Sequence, residues 1–255
     1  MTLLVIIAVN LLYMKPGDST PVVTPEDGVV TGNHIPAYTN TWEMTAVHPD
    51  GSVEYRGKWN DEVSFYFQGE KEILKRVQHV YYQNKTSVQE EEVFRDNLKH
   101  HRLIIRTEGE EPHTDIYYEG NRIWGKKIFR AEGLDTMEQM SILFSYEFQQ
   151  RVFDWHLWGI LIAGFPLKKD YRARFLAHES YSSHPGDFRW FTLKVTGKEM
   201  IDGGKWGPVN CWTVDVDDKV RWKLWIAVRK DIAPVQQVCI FDTDGKLFWW
   251  KPEKK

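Results

Sequence analysis

From Thr41 onward, apolar and polar residues alternate with a period of two, the pattern of half-buried strands. In Ser52–Trp59, Val53, Tyr55 and Trp59 fall on one side and Glu54, Arg56 and Lys58 on the other. In Glu62–Gln68, Val63, Phe65 and Phe67 share a side. The turn signal His48-Pro49-Asp50-Gly51 precedes the first of these strands, and Asp-Gly is a strong hairpin signal. Further strands are predicted at Glu72–Gln83, Val88–Arg95, Arg102–Glu108, Thr114–Tyr118 and Arg122–Arg130, with Glu119-Gly120-Asn121 turning between the last two. A second run is predicted at Tyr171–Ala177, Arg189–Lys198, Asn210–Val216, Val220–Arg229, Val235–Phe241 and Lys246–Trp250.

Between these runs the spacing lengthens. Met140, Phe144, Phe148, Val152, Trp155 and Trp158 recur every three or four residues, a helical period. Asp135 and Glu138 have capping-box spacing, and Gly164 and Pro166 supply a stop. A helical insertion is therefore predicted at about 137–163, as one helix or two short ones. From Asp154 it is apolar on nearly all sides, so it should be buried against the sheet or plug its mouth. The predicted fold is mainly β: a large antiparallel curled sheet or partly open β-barrel around this helix.

The first residues do not join this pattern. Residues 2–14, TLLVIIAVNLLYM, are too short for a comfortable membrane-spanning helix but suit the apolar core of a signal peptide. No Lys or Arg precedes the run and no A-x-A-like site follows it. The alternative is an N-terminal strand or buried helix. Residues 1–18 are thus read as a signal-like or anchor segment. Residues 19–39, rich in Pro, Gly, Thr and Asp, are read as a linker, and 40–255 as one β domain. The expected location is periplasmic, or membrane-associated through the apolar segment.

Composition narrows the class. The charged fraction is 27%, the net charge -3, and no basic stripe is present, which argues against nucleic acid. The informative excess is aromatic: 12 Trp, 11 Tyr and 13 Phe. Such residues favour strands, or line a pocket that is half apolar and half wet. Cys211 and Cys239 fall on the first and third strands of a predicted meander. Next-nearest strands lie about 9–10 Å apart, beyond disulfide reach, so both are read as small buried apolar residues unless barrel closure brings the strands together.

Several C-terminal segments form a recognisable series: FPLKKDYRARF (165–175), WFTLKVTGKEMI (190–201), VNCWTVDV (209–216), KLWIAVRKDIAPVQQV (223–238) and DGKLFWWK (244–251). Cys211-Trp212, the following LWI strand and the V-x-x-V strand carry most of it. This series resembles a family of uncharacterised bacterial envelope proteins, whose sheet is similar to that of periplasmic lipoprotein carriers. The resemblance implies an open or partly closed antiparallel barrel in the periplasm, with no catalytic residues. It also implies a concave aromatic surface facing a short helix, the kind of surface that holds acyl chains in the carriers.

Motifs for chemistry are sparse. No G-x-S-x-G, P-loop, G-x-G-x-x-G or H-E-x-x-H occurs. Asp154 and His156 could be a base and its orienter, or could pair separately with sheet residues. His178, Glu179 and His184 could form a loop metal site, or a solvated polar loop. His100 and His101 would point to opposite faces of a strand. Glu90-Glu91-Glu92 reads as a solvated strand edge. No cofactor and no metal are expected.

Two functional readings follow. The first is a non-catalytic envelope protein binding an apolar ligand, a lipid or lipoprotein acyl chain, in an aromatic groove formed by Phe148, Trp155, Trp158, Phe175, Trp190, Trp212 and Trp225. The second is a structural or interaction protein of the envelope with a packed core and a protein partner. A hydrolase using Asp154/His156 or His178/His184 ranks below both. A cavity beside the helix would favour the first reading, and solid packing the second.

Overall fold

The computed structural model describes residues 2–8, 19–82, 85–130, 139–147, 152–180, 186–217, 220–242 and 244–253. In the first half the strands are β1 (Thr2–Ala8), β2 (Tyr38–Val47), β3 (Val53–Gln68), β4 (Lys71–Tyr82), β5 (Lys85–Phe94), β6 (His100–Thr107), β7 (Thr114–Glu119), β8 (Arg122–Arg130) and β9 (Gln139–Glu147). A two-residue strand β10 (Phe153–Asp154), a 3-10 turn (Trp155–Leu157) and the helix α1 (Trp158–Gly164) follow. Then come β11 (Arg172–His178), β12 (Phe188–Asp202), β13 (Pro208–Asp217), β14 (Arg221–Ala227), β15 (Val235–Phe241) and β16 (Leu247–Pro252).

All strands belong to one sheet, in the order β1-β9-β8-β7-β6-β5-β4-β3-β2-β16-β15-β14-β13-β12-β11-β10. Two meanders join where β16 pairs with β2. Neighbours are antiparallel except at the two edges, where β1 runs parallel to β9 and β10 parallel to β11. The sheet is curled and unclosed. Its two ends overlap instead of pairing: Tyr146 of β9 packs edge-on against Phe188 of β12, with ring centroids 5.9 Å apart.

The predicted strands are found with small boundary shifts, but three local readings are corrected. First, Ser52–Trp59 and Glu62–Gln68 are one strand, β3. A bulge at Arg56-Gly57 reverses the alternation, so Trp59 faces the core while Tyr55 stays outside. Second, the helical insertion at about 137–163 is not one helical stretch. Among its described residues, 139–147 form β9 and helix is confined to the 3-10 turn and α1. A spacing of four is also a multiple of two, so Phe144 shares one strand face with Ile142 and Tyr146, and the apolar period was satisfied by a strand. Asp135, Glu138 and Phe148 lie outside the described residues. Third, Glu90-Glu91-Glu92 is not at an edge: β5 is central, and Glu91 is fully buried.

The predicted stop at Gly164 and Pro166 matches the end of α1. WGILIAG is buried on every side. Gly159 lets the helix approach β15, since a Cβ there would sit 2.6 Å from Val235 Cγ2. The region expected as a linker runs as irregular backbone from Ser19 to Ala37, and Val23, Val30 and Ile35 enter the main core. Its main chain is tied by Val23 N to Arg174 O (2.8 Å) and Gly32 N to Arg95 O (2.8 Å). Residues 2–8 form β1, beside β9. No helix among the described residues is long and apolar enough to cross a membrane. Cys211 and Cys239 are buried free thiols on β13 and β15, with β14 between them.

Candidate functional site

The space between α1 and the concave sheet face is filled by the protein's own side chains. Trp155 is 1% exposed; it stacks on Phe191 (4.2 Å between centroids, 22°) and meets Trp222 edge-on (5.2 Å, 89°). Trp158 packs edge-on against Trp59 at 6.0 Å. Phe175 stacks on Phe191 at 5.4 Å. Burying side chains of this size contributes about 1.5–3 kcal/mol each.

The seven residues expected to line one groove do not share one surface. Trp155, Trp158 and Phe175 belong to the main core, and Trp212 packs partly buried at its border, under the Lys198 ammonium (4.1 Å). Trp190 is on the reverse of β12, paired with Leu176, in the cluster where the sheet ends overlap. Trp225 is on the reverse of β14, in a third cluster with Cys211, Cys239 and Trp249. Phe148 lies outside the described residues. Much of the aromatic excess therefore sits outside the concave face. There it interleaves with cations, as where Arg102 lies over Tyr117, Lys223 over Trp225 and Lys251 over Trp249.

The residues with chemical potential form a buried polar chain beneath the turn that leads into α1. Asp61 of β3 takes a bidentate pair from Arg76 of β4, at 2.8 and 3.1 Å, and accepts from Tyr38 Oη at 3.0 Å. Arg76 also reaches Glu91 of β5 at 3.4 Å. The other oxygen of Glu91 accepts from His156 Nδ1 at 2.7 Å, with His100 Nε2 of β6 at 3.5 Å. Asp154 holds the next knot. Its Oδ1 accepts from the His156 backbone N–H and from Ser180 Oγ, both at 2.7 Å. Its Oδ2 accepts from Tyr118 Oη and from His178 Nδ1, the latter at 3.0 Å. Lys127 Nζ closes the far end on Ser180 O at 2.6 Å.

Asp61, Arg76, Glu91, His100, Asp154, His156 and His178 are each 2% exposed or less. Burial pushes the Glu91 carboxyl up, but His156, His100 and Arg76 outweigh it and hold it well below the usual range. Burial likewise opposes ionisation of Asp154, and His178, His100 and Tyr118 outweigh it in the same direction. Burial alone would lower the Arg76 guanidinium, yet Asp61, Tyr38 and Glu91 raise it. Burial and the Asp154 charge push the Tyr118 hydroxyl well up. These ions are committed to one another.

Asp154 and His156 do not bond through their side chains. Asp154 pairs with His178, and His156 with Glu91, so each partner comes from the sheet. Asp154 also caps the 3-10 turn, which fixes the entry into α1. Glu179 is buried and lies 3.6 Å from Arg189, while His184 lies outside the described residues. Among the described residues no cluster of three or more His, Cys, Asp or Glu is arranged to hold a metal ion. Sequence reasoning missed Asp61, Arg76, Glu91, His100 and Tyr118. Their signal was polar residues at core-facing parity on neighbouring strands, which becomes visible only once the register is known.

No curated protein matches the chain. A solved structure from Parabacteroides distasonis ATCC 8503, described as a "putative lipoprotein", is similar over 88% of this chain and 98% of its own, at 7% identity and a TM-score of 0.37. A family model for a protein of unknown function (DUF3108) matches residues 98–239, taking in β6 to β9 as well as most of the C-terminal series. The match covers more than half of the sequence, and the chain belongs to this family of unknown function.

Proposed function

We propose that this chain is a non-catalytic bacterial envelope protein that acts through its surface, as a structural or interaction module with a filled interior. One observation carries this reading. Every residue from Trp155 to Gly164 is buried against the aromatic concave face, where an acyl chain would have to lie. A carrier needs space there, and Trp155, Trp158, Phe175 and Phe191 occupy it.

The non-catalytic part is supported by the state of the titratable groups. Asp154, His156, His178 and Glu91 are 0% exposed and paired as Asp154–His178 and Glu91–His156, which favours a structural role for them. The envelope part rests on the resemblance of the C-terminal series.

Native mass spectrometry of protein purified from its host tests the reading, together with titration of a fluorescent fatty acid. The expected result is the bare chain and no saturable uptake. A lipid co-purifying at one per chain overturns it in favour of the carrier. Fractionation of host cells should place the protein in the periplasmic or membrane fraction, and recovery from the cytosol alone overturns the envelope assignment.

A further inference from the structure

We propose that a groove on the outer face of β3 and β4, between Tyr55 and Tyr81, binds an uncharged saccharide. The site is independent of the filled interior. It begins with the bulge in β3. In a regular strand, Tyr55 and Lys58 would point to opposite faces. The extra residue at Arg56-Gly57 brings Tyr55, Lys58 and Asn60 onto the same outer face.

Gly57 is required for this. Its φ is +150°, and a Cβ there would sit 2.1 Å from Tyr81 O. The two backbones therefore approach closely beneath the groove. The resulting space is about 590 Å³, within the size range of small-molecule sites, and its floor carries Thr41, Asn60 and the Lys58–Glu253 ion pair.

Tyr55 and Tyr81 are exposed aromatics that line the groove, and Tyr66 and Phe67 are exposed farther along β3. Tyr55 is 59% and Tyr81 40% exposed. Tyr117 and Trp124, by contrast, stack on each other at 4.5 Å, with Arg102 over Tyr117 and Arg122 over Trp124. Tyr55 and Tyr81 keep bare faces. An aromatic face with hydroxyl and amide groups beside it suits the C–H face and hydroxyls of a sugar ring.

Charge selects among sugars. Lys58 is paired with Glu253, while Arg56 donates to Glu54 and to Tyr82 Oη. Both cations among the described lining residues are thus paired with carboxylates, which favours a neutral ligand over a phosphate or carboxylate. Asn60 Nδ2 is 3.4 Å from Tyr81 Oη, a long contact that a ligand hydroxyl could replace.

Isothermal titration and saturation-transfer NMR on the full chain provide the test, with chitotetraose and maltotetraose as neutral probes and a heparin tetrasaccharide as the anionic one. At least one neutral probe should bind saturably. Tyr55→Ala and Tyr81→Ala should each weaken it about tenfold or more. Tyr117→Ala, at the covered stack, should leave it unchanged. Both variants alter exposed rings, and circular dichroism confirms that they fold. The proposal is overturned if neither neutral probe binds, if binding survives both substitutions, or if only the heparin fragment binds.

Discussion

His156 Nδ1 lies 2.7 Å from Glu91 Oε1, and neither side chain is exposed to solvent. The contact joins the turn before α1 to the centre of the sheet, and the other oxygen of Glu91 extends it to Arg76. Removing one member of such a chain leaves the others charged and buried, which costs more than the pair itself contributes. Glu91→Gln should therefore destabilise the fold by about 3–5 kcal/mol, read as a lower urea midpoint with an unchanged slope.

Acid should weaken the same network. Asp154 and Glu91 have folded-state pKa values held below their unfolded values of about 3.9 and 4.3. Their contribution is complete above those unfolded values and is lost as pH falls through the folded ones. The urea midpoint should drop steeply below about pH 4. Asp154→Asn should lower stability at pH 7 and flatten that acid limb. An acid limb as steep as that of the unsubstituted protein would show that Asp154 does not titrate with folding.

The filled interior makes its own prediction. Trp155→Ala removes a side chain that stacks on Phe191 and meets Trp222. Large-to-small changes of this kind cost about 3–5 kcal/mol through lost transfer energy and the cavity left behind. Thermal unfolding should report that loss. The variant should also take up a small apolar probe such as benzene, which the unsubstituted chain should not.

At Gly57 a methyl group has no room, because Tyr81 O is 2.1 Å from the Cβ position. The positive φ adds strain for any side chain. Gly57→Ala should destabilise by about 1–3 kcal/mol, measured by thermal melting. If the melt is unchanged, the bulge geometry is not as described.

The two thiols should be silent in the native state. Burial pushes Cys211 up to about 12, and the nearby Glu199 charge adds to it. Burial pushes Cys239 up to about 11. Thiolate is the reactive form, so a thiol reagent at pH 8 should label neither until denaturant is added. Rapid native labelling of either residue would contradict their placement in the core.

Much of the fold was legible because period-two alternation is local. Arg122–Arg130 and Val235–Phe241 read directly as β8 and β15, with both bounds as found. The failures have equally local causes. At 139–147 a spacing of four suits strand and helix alike, and at Arg56-Gly57 one extra residue reverses the parity that the pattern assumes. The candidate site was less legible. Asp154 and His156 stood out within an apolar stretch, but Glu91 sat in an acidic run that looked like solvated surface.

By itself, the sequence determined the strand-forming character of the chain, the end of its short helix at Gly164 and the burial of its two cysteines. These depend on neighbours within a few residues. Only the tertiary structure decided which carboxylate meets which histidine, and that Trp155, Trp190 and Trp225 fall in three different clusters instead of lining one groove. Those outcomes depend on register between strands far apart in sequence and on the overlap of the sheet's two ends. A one-residue shift in pairing moves every side chain to the opposite face, so nothing within a single strand could have fixed them.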